Sequence, residues 1–79
     1  MYLHIGKDCV INNKEIIGLF SLEYIKNTKE YKRLYENLEN MNNIINISDE
    51  DKTIIITEKD NKVKGYMSNI STTTLAKRS

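Results

Sequence analysis

One cysteine, Cys9, and one histidine, His4, are all that this chain of 79 residues offers for stapling itself together. A chain this short cannot be divided and still bury enough surface, so residues 1–79 read as a single domain. One small core contributes roughly 3–5 kcal/mol of net stability, and small natural proteins add disulfides, a metal or self-association. A lone thiol makes no intrachain disulfide. A structural zinc takes about four Cys or His ligands, more than Cys9 and His4 supply. No cofactor or metal is therefore expected, and self-association is the first expectation the sequence sets.

Twelve Lys and Arg stand against eleven Asp and Glu, for a formal charge of +1, so no global field draws the chain to nucleic acid. If DNA is the partner, positive charge must be concentrated locally or multiplied by assembly. No stretch approaches the roughly 20 apolar residues of a membrane span, and the first residues follow a strand pattern in place of a signal core. With an unpaired thiol suited to a reducing compartment, the expected location is cytoplasmic, with no membrane partner.

Tyr2 to Ile5 alternates and is β-rich, Gly6 breaks the pattern, and Cys9, Val10 and Ile11 resume it, which predicts a hairpin. After a break at Asn12 and Asn13, the nearly unbroken apolar run Glu15 to Leu22 predicts a strand buried on both faces. Gly18 inside it marks a bulge or a close backbone approach. Asn27 and Glu30 resemble a capping box. Tyr31, Leu34, Tyr35, Leu38 and Met41 then recur at helical spacing, giving an amphipathic helix of about three to four turns. Asn42 and Asn43, which tolerate left-handed angles, end it, and Lys29, Lys32, Arg33, Glu36 and Glu39 occupy its solvated face.

Ile44 to Ile47 reads as a short strand and Ser48 to Lys52 as an acidic loop. Thr53 to Thr57 and Val63 to Ser68 flank Asp60-Asn61, a pair suited to the two positive-φ positions of a type I′ turn, so a second hairpin is expected. Ser71 can cap a short helix through Leu75 and Ala76 that ends in Lys77 and Arg78. The fold class is α+β: a small, mainly antiparallel sheet with one central amphipathic helix and a short C-terminal helix. Ile54, Ile55 and Ile56 cannot all face one core. Burial of one face of that strand against another subunit is preferred over cover of both faces within the protomer.

Catalytic chemistry finds few candidates. His4 and Cys9 could approach across the first hairpin, yet no third group orients them, and a packed histidine and an inert buried thiol are the expectation. Asp49, Glu50 and Asp51 lack the spacing and glycine of a calcium loop and read as solvated acids. No glycine-rich phosphate loop occurs. Of the tyrosines that could stack on bases, Tyr24, Tyr31, Tyr35 and Tyr66, Tyr31 and Tyr35 lie on the apolar stripe, where packing outweighs base stacking, and Tyr66 is less determined. Lys59, Lys62 and Lys64 border a hairpin tip beside Glu58 and Asp60, a pattern that keeps an exposed turn soluble. The chain is read as no enzyme, with no small-molecule substrate.

Several blocks in order, Met1 to Gly6, Lys14 to Glu23, Asn46 to Asp49, Thr57 to Asp60, and Ser68 to Ser71 followed by Leu75 to Arg78, resemble the RemA/RemB family of bacterial biofilm-matrix regulators, nearest to its RemB branch. The resemblance implies a transcriptional regulator whose protomers close into rings on which double-stranded DNA docks. A ring makes modest charge sufficient, since weak phosphate contacts act together. It also implies a DNA-contacting arginine pair before the final hairpin, where this chain has Ser48, Asp49, Glu50, Asp51 and Lys52. Those acids repel phosphate, so that site is not carried over. Asn42, Asn61 and Asn69, where such sequences favour Gly or Pro, are expected to keep the turn chemistry.

The sequence thus leads to a non-catalytic, self-assembling DNA-binding regulator. Its expected phosphate contacts are Lys29, Lys32 and Arg33 on the helix, Lys52 in the loop, and Lys77 and Arg78 at the end. The alternative is an interaction or scaffold module of the same fold that has lost DNA binding.

Overall fold

Asp60 and Asn61 sit at φ of +53° and +66° in the computed structural model, which describes residues 1–79. That is the paired left-handed geometry a type I′ turn requires, and it joins β5 (Thr53–Lys59) to β6 (Lys62–Ser68) in unbroken register from Thr53↔Ser68 to Lys59↔Lys62. This ribbon is the centre of a four-stranded sheet ordered β3-β5-β6-β4, with β3 spanning Ile16–Ser21 and β4 Ile44–Asn46. β3 runs antiparallel to β5, and β4 is parallel to β6. β1 (Tyr2–Gly6) and β2 (Cys9–Asn12) form the expected N-terminal hairpin as a separate two-stranded sheet, followed by a 3-10 turn at Asn13–Glu15.

Three helices complete the chain: α1 (Leu22–Ile25), α2 (Lys29–Asn40) and α3 (Thr72–Arg78). Thr28, not Asn27, caps α2, its hydroxyl accepting from the Tyr31 N–H at 3.1 Å. Threonine wins because it is the last extended residue, so its side chain faces the open N–H groups of the first turn. At the other end Asn42 takes φ +57°, its N–H donating to the Glu39 carbonyl and that of Asn43 to the Leu38 carbonyl, a Schellman closure of the orphan carbonyls. Met41 therefore leaves the helical stripe and is exposed. Ser71 caps α3 as expected, accepting from the Thr74 N–H. Asn42 and Asn61 are left-handed, but Asn69 is not.

Two further expectations change. The run Glu15 to Leu22 is not a strand buried on both faces. β3 is an edge strand with Ile17 and Phe20 exposed, and Leu22 starts α1. Gly18 does mark a bulge, where the register with β5 shifts, and a side chain there would sit 2.6 Å from the Phe20 ring. Ile54, Ile55 and Ile56 are all buried within the protomer, so the preferred covering by another subunit is not needed. Alternation of the pleat sends Ile55 to one face, with Leu3, Ile5, Ile11, Ile47 and Leu75, and Ile54 and Ile56 to the other, with Leu22, Leu38 and Met67. The N-terminal hairpin and α3 cover the first face and α2 covers the second. Gly65 lets α2 close on the sheet: a Cβ there would lie 3.2 Å from Leu38 Cδ1 and 3.1 Å from Ile44 Cδ1.

Candidate nucleic-acid interface

Because α2 buries Leu38 and turns Leu34, Tyr31 and Tyr35 toward the core, its outer face is left with Lys29, Lys32 and Arg33, all exposed. Glu30, Glu36 and Glu39 share that solvated surface, so the helix presents mixed charge. Tyr31 and Tyr35 pack against each other with ring centroids 5.9 Å apart, and burial pushes the Tyr31 hydroxyl above its ordinary pKa, with Tyr35 and Asp51 adding to the effect. These rings are packing residues, not free stacking platforms.

Lys77 and Arg78 lie on the opposite side of the sheet from α2. Leu75 anchors α3 in the core shared with the N-terminal hairpin, and the Arg78 guanidinium donates from Nη1 to the His4 carbonyl at 3.2 Å. Lys52 is fixed through its backbone, donating to the Ser68 carbonyl at 2.8 Å and accepting from the Leu22 N–H at 3.0 Å. Its side chain lines an open groove with Lys26, but Glu23 and Asp51 line it too, leaving the charge balanced. The Asp51 carboxyl pKa is itself raised from its ordinary value by partial burial and by Asp49. The six expected contacts therefore fall on two faces and a loop, and the fold does not gather them into one patch.

The lysines that the sequence assigns to keeping an exposed turn soluble form a cationic surface on the β5–β6 ribbon. Cross-strand pairing places Ile55 opposite Tyr66, Thr57 opposite Lys64 and Lys59 opposite Lys62, and these six side chains alternate onto one face. The ladder runs from buried and apolar to exposed and basic, and a shallow hollow at its basic end is lined also by Glu15 and Asp60. Glu15 Oε2 lies 3.7 Å from Lys59 Nζ, the one ion pair in the molecule. Lys62 and Lys64 have no acid within that reach. Beside them, burial raises the Tyr66 hydroxyl pKa, with Cys9 and Glu15 as lesser causes. The signal was present in the sequence as alternate lysines across a two-residue turn, but it needs the register to become a surface.

His4 and Cys9 do not face one another. His4 is exposed, not packed, and its Nε2 bonds the Lys7 carbonyl; Cys9 packs against the opposite, core-facing side, where burial raises its thiol pKa. No three His, Cys, Asp or Glu side chains converge as a metal site would require, and no helix is long and apolar enough to cross a membrane. Among known families, RemA-like, described as extracellular matrix regulatory protein A-like, matches residues 2–78. No curated protein matches the chain.

Proposed function

Given that the chain belongs to the RemA-like family of extracellular matrix regulatory proteins, we propose that it is a self-assembling, non-catalytic regulator that binds double-stranded DNA in the cytoplasm. The family match over nearly the whole chain carries this reading. Size supports the assembly: a core this small, with no disulfide or metal site, gains stability by associating with copies of itself. Assembly in turn supports DNA binding, because exposed lysines and arginines spread over one protomer become a repeated array in a ring. Lys29, Lys32, Arg33, Lys52, Lys77 and Arg78 each supply a phosphate contact of that kind, with no basic recognition helix to read bases.

The test is light scattering for mass together with duplex titration of the same sample. A multimer whose duplex affinity falls steeply with salt is expected. A protein that stays monomeric, or an assembled one that binds no duplex at low salt, overturns the proposal. The second reading, a scaffold that keeps the assembly but not the DNA, is favoured by the exposed acids Asp49, Glu50 and Asp51 and by the division of the cations between opposite faces. It predicts an assembled protein indifferent to duplex.

A further inference from the structure

The β5–β6 ribbon outruns its neighbours. β3 pairs with β5 only from Thr53 to Thr57, and β4 pairs with β6 only from Gly65 to Met67. Residues 58–64 therefore extend as a two-stranded tip with no further strand on either edge, of a width that the major groove of duplex DNA admits. Lys59, Lys62 and Lys64 lie on one face of this tip, and Lys59 and Lys62 are directly opposed. Opposed like charges disfavour the pairing they sit on, and within the chain Glu15 answers only one of the three. An external anion that spans several lysines is the missing partner.

We propose that this ribbon tip is the surface on which duplex DNA docks, with Lys59, Lys62 and Lys64 on phosphates of its backbone. The proposal rests on the DNA-binding reading above and replaces a scattered set of contacts with one face as the principal one. A two-stranded ribbon reaches a duplex as a rigid unit, because its ladder bonds hold the lysine spacing and the turn cannot slip without reversing every side chain. Polyanion spacing matters as well. A strand presents phosphates every few ångströms, and lysines on alternate positions of adjacent strands meet them at comparable intervals. Alongside Glu15, which lines the same hollow, Asp60 at the turn itself is a repulsive charge that DNA would approach closely. It limits affinity and makes the model easy to probe from the opposite sign.

The experiment is a salt titration of duplex binding by the assembled protein, comparing wild type, the double variant Lys62→Ala/Lys64→Ala, the charge-keeping Lys62→Arg/Lys64→Arg, and Asp60→Asn, each checked for an unchanged melting profile and mass. The double alanine variant is expected to bind about tenfold more weakly or worse, with the slope of log affinity against log salt reduced by roughly two for each protomer engaged. The arginine pair restores binding, and Asp60→Asn, whose side chain still accepts the left-handed turn, tightens it. A wild type that binds alongside an alanine variant of equal affinity and slope overturns the ribbon as the site while leaving DNA binding in place. A wild type that binds no duplex overturns both.

Discussion

On one face of the four-stranded sheet a single helix, α2, seals Leu38, Ile54, Ile56 and Met67. On the other, Leu3, Ile5 and Ile11 from the start of the chain meet Leu75 from its end over Ile55. The helix that closes the first face is followed within a few residues by β4, and the buried residues of that face all fall between Leu22 and Met67, without either terminus. The second face is closed only by bringing the termini together, through links as distant as Ser68 to Ile5 and Arg78 to His4. Closure entropy rises with the length of the loop, so equal buried area yields less net stability where the ends must meet. The terminal face is also where cover stops short of the ribbon tip, which leaves the lysine ladder open. The less securely closed side of the fold is thus the one that presents the candidate interface.

Hydrogen exchange on the wild type sharpens this contrast: amides of β1 and β2 are expected to exchange before those of α2 and β5, and simultaneous exchange of both faces would make the sheet one cooperative unit. Truncation gives the largest effects. Leu38→Ala and Leu75→Ala, each removing a side chain that is 2 % or less exposed, should cost about 3 kcal/mol apiece, measured by urea denaturation. Against a net stability of a few kcal/mol, either is enough to leave much of the monomer unfolded. Ser68→Ala comes next. The Ser68 hydroxyl donates to the Ile5 carbonyl and accepts from the Ile70 N–H at 3.0 Å, so its loss orphans a group on each side of the junction. A cost of about 1–3 kcal/mol is expected, with the N-terminal hairpin loosened selectively. An equal loosening of α2 would contradict the division of the faces.

Features set by a few adjacent residues are legible before folding, and those set by distant ones are not. The Asp60-Asn61 turn, the Ser71 cap, the Asn42 terminus and the Gly18 bulge each depend on a few adjacent residues, and each was readable. The burial of the three isoleucines is not legible locally: the alternation that sends Ile55 one way and its neighbours the other is local, whereas the cover comes from distant parts of the chain, both termini for one face and α2 for the other. The run Ile16 to Phe20 looked central for the same reason: its apolarity is real, but strand order sets it at an edge. For the interface, individual cations could be named, yet their grouping could not. Lys59, Lys62 and Lys64 became a surface through cross-strand register, while α2 and α3 carried the favoured residues to opposite faces.

The helix caps test the contrast at lower energy. Thr28→Ala and Ser71→Ala each remove an N-cap acceptor and should cost about 1 kcal/mol. The first is expected to fray α2 alone, since Leu38 lies more than two turns further on. The second reaches the terminal core, because Leu75 sits one turn from the cap in a seven-residue helix. Circular dichroism with proton exchange at β1 separates them, and a β1 that responds equally to both variants would remove the distinction.

The smallest expected effect is a gain. Lys62→Glu turns the opposed Lys59–Lys62 pair into an attractive one on an exposed ribbon, where cross-strand charge pairs contribute on the order of 0.3 kcal/mol. The melting temperature should rise slightly at low salt, and the rise should vanish by about 1 M salt, where screening extends over only roughly 3 Å. If the ladder is retained for an anion, the same substitution must weaken duplex binding while it stabilises the fold, because the repulsion it relieves is the charge the duplex uses. A variant that is both more stable and undiminished in duplex binding would leave the lysines as a device for keeping the turn solvated.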